Sequence, residues 1–149
     1  MPVTQSSTGG TTFQTFSAKR QIKMPRSLYD YRGSNFFDPT YIAADANGNK
    51  YVWEGLIVAL AAVADDATYG ATYKFVPYES GGSYGVNSDV PYGILDIRLN
   101  ATLDGEAIAV IYHGQLQEQN IYVYGGALGT VPAAVKTALP DIDWVPAPA

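Results

Sequence analysis

From Tyr41 onward the apolar residues of this chain come in short runs, each closed by glycine, asparagine, aspartate or proline. Such runs are too short for the apolar stripe of an ordinary helix, whereas a strand needs only about four to eight residues. Tyr41-Ile42-Ala43-Ala44 and Lys50-Tyr51-Val52-Trp53-Glu54 flank Asn47-Gly48, a strong hairpin signal. Leu56 to Val63 suits a buried strand or a short helix; Gly55 and Asp65-Asp66 bound it to strand length, so a strand is expected. Tyr73-Lys74-Phe75-Val76-Pro77-Tyr78 comes next, its proline marking an edge or an end. Val90 to Leu99 alternates, with Leu95, Ile97 and Leu99 on one face and Asp96 and Arg98 on the other. Asp104-Gly105 turns the chain into Ala107–Tyr112, and Ile121–Tyr124 completes the series. Strands at this spacing imply a mainly β chain with a small barrel or sandwich body.

The two ends differ from this middle. Residues 1–40 read as a long extended arm, and residues 41–149 as the β-rich domain. Ser6 to Thr12 is a low-complexity start, Pro25 interrupts the stretch from Phe16 to Gly33, and the apolar residues Phe13, Phe16, Ile22, Met24, Leu28, Phe36 and Phe37 stand isolated. Such an arm suits the surface of another protein; the alternative is a strap laid over its own body. At the other end Thr130 can cap and Pro132 fits the first turn of a short helix over Ala133–Leu139, which Pro140 stops. The remaining residues read as a tail.

Charge is divided in the same way. The arm holds Lys19, Arg20, Lys23, Arg26 and Arg32 against Asp30 and Asp38, a net of 5 − 2 = +3, while the body holds 4 − 12 = −8. Charged residues make up only 15% of the chain, against about 25% in a typical soluble domain. A surface poor in charge tends to adhere to something.

Catalysis is poorly provisioned. The chain has no cysteine and one histidine, His113, which reads as an ordinary strand-end residue. No phosphate-cradling glycine loop is present, and Gly81-Gly82-Ser83-Tyr84-Gly85 has the wrong spacing for a dinucleotide site. Asp45, Asn47 and Asn49 match the start of a calcium loop, but Lys50 replaces its glycine and Leu56 its final glutamate. Asp65-Asp66 is a solvated turn rather than an acid–base pair. No catalytic residue, cofactor or metal ligand is therefore assigned. Nothing in Met1–Thr12 has the order of a secretory signal, and the longest apolar run, Leu56–Ala64, is nine residues, against about 20 for a membrane span. A soluble protein made in the cytoplasm is expected, with no membrane partner.

The order of four segments carries a resemblance: Asn47-Gly48-Asn49-Lys50-Tyr51-Val52 with Gly55-Leu56-Ile57-Val58-Ala59, then Tyr73–Tyr78, then Pro91-Tyr92-Gly93-Ile94-Leu95, then Ala107-Ile108-Ala109-Val110-Ile111-Tyr112-His113-Gly114. Over about Tyr41 to Val123 the chain resembles the head decoration, or capsid-stabilising, proteins of tailed bacteriophages, typified by the lambda head decoration protein. The resemblance implies a compact β-tulip body assembling as a homotrimer. It implies binding to the major capsid protein on the outer surface of the expanded head, at threefold and quasi-threefold positions, as a clamp against DNA pressure. The localisation implied is the virion, after synthesis in the host bacterial cytoplasm. The resemblance implies an N-terminal arm that is disordered when free and orders on the capsid surface, partly by adding strand to capsid sheets. The residues assigned to that contact are Thr11, Thr12, Phe13, Gln14, Thr15, Phe16, Lys19, Arg20, Lys23, Arg26, Phe36 and Phe37. The long basic arm and the helical C-terminal addition are departures from the shorter members.

Two other readings compete. Arm bases interleaved with Tyr29 and Tyr31 suggest nucleic acid, but the acidic body repels phosphate, so no nucleic-acid partner is expected. A carbohydrate-binding β-module would use Trp53, Tyr69, Tyr73, Tyr78, Tyr84 and Tyr92 as a stacking face, unless these rings furnish half-buried strand positions.

Overall fold

The computed structural model describes residues 21–24, 28–61, 74–85, 87–101 and 107–148, with residues 31–36, 61, 107 and 108 described by backbone alone. The chain is mainly β. Its strands are β1 (Asp30–Phe37), β2 (Tyr51–Val52), β3 (Ile57–Ala61), β4 (Lys74–Pro77), β5 (Pro91–Leu95), β6 (Leu99–Asn100), β7 (Ala107–Gln117) and β8 (Ile142–Val145), with helix α1 at Ala133–Ala138.

The large sheet runs β1-β4-β3-β5-β7-β8, and β1 also pairs with β7. That extra pairing closes β1, β4, β3, β5 and β7 into a ring, and β8 hangs on β7 outside it. Closure removes the exposed edges that an open sheet of these strands would present. β2 and β6 form a separate two-stranded antiparallel sheet.

The apolar runs result from burial on both faces. Leu56, Ile57, Val58 and Ala59 are all fully buried. Ile57 and Ala59 join one cluster with Ile94, Ile111, Leu116 and Val135, while Leu56 and Val58 join a second with Phe37, Phe75, Leu95 and Val110. A strand covered on both sides needs no polar alternation. Gly93 on β5 shows how tight this packing is, since a Cβ there would run into Val110 Cγ1 and lie 2.6 Å from the Ile111 carbonyl oxygen.

Several expectations require correction. Asn47-Gly48 does turn the chain: Gly48 has φ 81°, and Asp45 Oδ1 accepts the N–H groups of Asn47 and Asn49, each at 2.9 Å. The hairpin does not form, because Asp38 caps a 3-10 turn at Pro39–Tyr41 and β2 pairs with β6 instead. The single strand expected from Val90 to Leu99 breaks between β5 and β6. Arg98 turns there to the buried Glu54 at 3.0 and 3.2 Å, which leaves Ile97 36% exposed instead of sharing a face with Leu95 and Leu99. Ile121–Tyr124 is no strand: Tyr122 makes one bridge to Leu56, and Gly126 N–H then closes a turn onto the Val123 carbonyl. Pro132, not Thr130, occupies the helix N-cap, and the tail beyond Pro140 supplies β8.

The boundary drawn at residue 40 falls inside the fold. β1 pairs with β7 from Asp30↔His113 to Phe36↔Ala107, and Phe36 and Phe37 pair with Lys74 and Phe75 of β4. Ile22 is 2% exposed in the first cluster. The described part of the arm, from Gln21 on, is thus a strap and a strand of the body. The Asp104-Gly105 turn and Asp65-Asp66 lie outside the described residues.

Candidate interaction surface

The arm enters the body as a short strap on β7. Lys23 bridges Leu116 antiparallel, Gln117 N–H donates to the Ile22 carbonyl at 2.7 Å, and Met24 N–H donates to the Gln115 carbonyl at 3.2 Å. Asn120 Nδ2 donates to the Gln21 carbonyl at 2.8 Å. Burial of Ile22 makes this attachment more than a chain of surface hydrogen bonds. Tyr29 reinforces it from beside β1, its hydroxyl meeting the carbonyls of Met24 and Gln115 at 3.0 and 2.5 Å.

β8 lies parallel to β7 in the register Gly114↔Ile142 to Gln117↔Val145. Strap, β7 and β8 therefore form a three-stranded ribbon beyond the ring. Since the strap is antiparallel and β8 parallel to β7, the strap's first residue and the last residue of β8 sit at the same end. A recess of about 200 Å³ opens there, lined by Met24, Gln117, Gln119, Val145, Pro146 and Pro148.

This geometry sorts the residues expected to contact a capsid. Lys23 Nζ pairs with Asp96 Oδ2 at 3.1 Å and lies 5.5 Å from the centre of the Tyr29 ring, so its charge is engaged within the chain. Phe37, at 2% exposure, packs in the second cluster and is no anchor for an outside surface. Phe36 is placed by its backbone between β7 and β4. Thr11, Thr12, Phe13, Gln14, Thr15, Phe16, Lys19, Arg20 and Arg26 lie outside the described residues.

Among the described residues, the tyrosines expected to form a stacking face divide between the two apolar clusters. Tyr78 is 2% exposed in the first cluster; Tyr92 packs on Phe75 at 5.4 Å, and Tyr84 packs on Tyr41 at 5.4 Å and Tyr124 at 6.1 Å. Tyr69 and Tyr73 lie outside the described residues. Trp53 carries Arg98 over its ring at 3.8 Å and, with Tyr122, Gly126 and Leu128, lines a shallow depression of about 170 Å³.

His113 Nδ1 lies 3.1 Å from Asp30 Oδ2, both side chains more than half exposed. Among the described residues no three His, Cys, Asp or Glu side chains are grouped to hold a metal ion, and no helix is long and apolar enough to cross a membrane. Sequence reasoning missed the ribbon, because only five residues lie between Pro140 and Pro146, and the one available signal was the alternation of Asp141-Ile142-Asp143-Trp144. Protein-family models, curated proteins and solved structures offer no match to this chain.

Proposed function

We propose that this chain is a non-enzymatic structural protein that decorates the outer surface of an expanded phage head as a homotrimer, its N-terminal arm contacting the major capsid protein. The fixed root of the arm carries the reading: residues 1–20 are joined to a body that grips Gln21–Met24 by backbone bonds and a buried Ile22. An arm rooted this way transmits any load on its outer part to the barrel, as a clamp requires. Segments whose order carries the resemblance to head decoration proteins supply β3, β4, β5 and β7, all members of the ring. Trimerisation would combine three modest footprints through effective concentration.

The test removes residues 1–20 and no more, because a cut at residue 38 would also take β1 and Ile22 from the body. Native mass and sedimentation with expanded, empty heads of the parent phage are measured for both chains. The full chain is expected at three times 16.0 kDa and bound to heads, and the truncated chain as an unbound trimer. A full-length monomer that ignores heads would refute the reading, and unchanged capsid binding after truncation would remove the arm's role.

A further inference from the structure

We propose that Asn47 is a self-modification site, where the Gly48 backbone nitrogen displaces the side-chain amide at a rate governed by Asp45. Of the chain's asparagines only Asn47 precedes a glycine. Glycine has no Cβ to hinder the approach of its own nitrogen to the preceding side chain. Both residues are exposed, and a Cβ on Gly48 would meet nothing within 4 Å. The Asn47 side chain takes no part in the hydrogen bonds that hold the turn. Asn87-Ser88 is the nearest rival in an exposed turn. There Ser88 is fully buried, its N–H donates to the Gly85 carbonyl at 3.2 Å, and its hydroxyl accepts the Tyr84 N–H at 3.1 Å.

The chemistry needs only water. Hydroxide takes the Gly48 N–H proton, the nitrogen attacks Asn47 Cγ, and the side-chain nitrogen leaves as ammonia after taking a proton from water, closing a cyclic imide. A second water then opens the imide at either carbonyl. Cleavage at Cγ yields aspartate; cleavage at the backbone carbonyl routes the chain through Cγ as isoaspartate. Either product takes the net charge from −5 to −5 − 1 = −6. Asp45 restrains the first step. Its carbonyl accepts the Gly48 N–H at 3.0 Å, so the attacking nitrogen is engaged, and its Oδ1 fixes the Asn47 and Asn49 N–H groups at 2.9 Å each. The Asp45 N–H donates to the Asn49 carbonyl at 2.8 Å. Attack therefore waits for the turn to open. Just beyond the turn the Lys50 carbonyl accepts the Ala101 N–H at 2.6 Å, and β2 follows. Isoaspartate lengthens the backbone ahead of that bond and loosens the pairing of β2 with β6.

The test ages the full chain in mildly alkaline buffer and follows each asparagine by peptide mass mapping, with enzymatic methylation of isoaspartate as a second readout. Asn47 is expected to convert first. Asp45→Ala should quicken its conversion about tenfold, the worth of the carboxylate's bonds to the turn. The wild-type chain in urea should convert faster than the native chain by at least as much, which keeps the result readable should Asp45→Ala fail to fold. Amide exchange at Ala101 should quicken as isoaspartate accumulates, and Asn47→Gln should show no such change over the same ageing. Conversion at Asn47 no faster than at Asn87 would overturn the proposal. Equal rates in the native chain, in Asp45→Ala and in urea would overturn the part given to Asp45. None of these measurements involves heads, so their outcome is separate from capsid binding.

Discussion

The two halves of β7 obey different rules. Its first half, through His113, lies between β1 and β5, with Val110 in one apolar cluster and Ile111 in the other, both fully buried. Its second half, from Gly114, lies between the strap and β8, with Leu116 buried and Gln115 exposed. Gly114 divides them. Its φ is 136°, and a Cβ there would meet Tyr29 Cδ1 at 2.5 Å and the Leu28 carbonyl oxygen at 2.8 Å. One strand thus belongs to a closed barrel held by core packing and to an open ribbon held by segments from opposite ends of the chain.

The largest expected effect falls on the barrel. Phe75→Ala removes a fully buried ring from the second cluster and should lower unfolding free energy by about 4 kcal/mol. Urea denaturation measures it, and both halves of β7 should lose protection together; loss confined to one half would show that barrel and ribbon unfold separately. Gly114→Ala should cost about 3 kcal/mol through backbone strain and the clash with Tyr29. Here amide exchange should quicken first at Leu116, so a uniform change would show that the glycine does not separate the halves. Lys23→Ala loosens only the strap. Its side chain is 40% exposed, and the expected cost is about 0.5 kcal/mol after solvent screening, read as faster exchange at Met24 and Gln117.

A control comes from a site in neither half. The Glu79 carboxyl is held below the usual glutamate range, chiefly by the Ser83 N–H at 2.7 Å and then by the Ser83 hydroxyl. A depressed carboxyl favours the fold above its unfolded pKa, and that contribution fades as pH falls through the folded value. A carboxyl-carbon titration should place Glu79 below an ordinary glutamate, and Ser83→Pro should raise it. An ordinary midpoint in the wild-type chain would show that the Ser83 contact does not hold the carboxylate in solution.

The barrel was largely legible because its strands declare themselves locally. Leu56–Ala59 and Ala107–Tyr112 are apolar runs bounded by turn residues, and each became a ring strand or part of one. The ribbon was not legible, since Ile22, Leu116 and Ile142 are distant in sequence and none heads a periodic pattern. β1 was hidden for another reason. Asp30-Tyr31-Arg32-Gly33-Ser34-Asn35 offers no apolar alternation, and its register with β7 shifts twice, so neighbours on both sides dictate its extension. Of the candidate contact residues, the basic and aromatic types were visible, but nothing in sequence distinguished the packed Phe37 or the paired Lys23 from residues free to reach a partner.

That the strap begins where β8 finishes, Gln21 and Val145 lying at one end of the ribbon, also bears on how freely the chain can be re-threaded. A short peptide joining the end of β8 to Gln21 would cross two strand spacings, about 10 Å, and leave the strap and β8 in place. New ends could then be opened at Gly125-Gly126, within an exposed turn where a Cβ on Gly125 would meet nothing within 4 Å. Such a circular permutant would keep every pairing of the ring while placing its new ends on the turn.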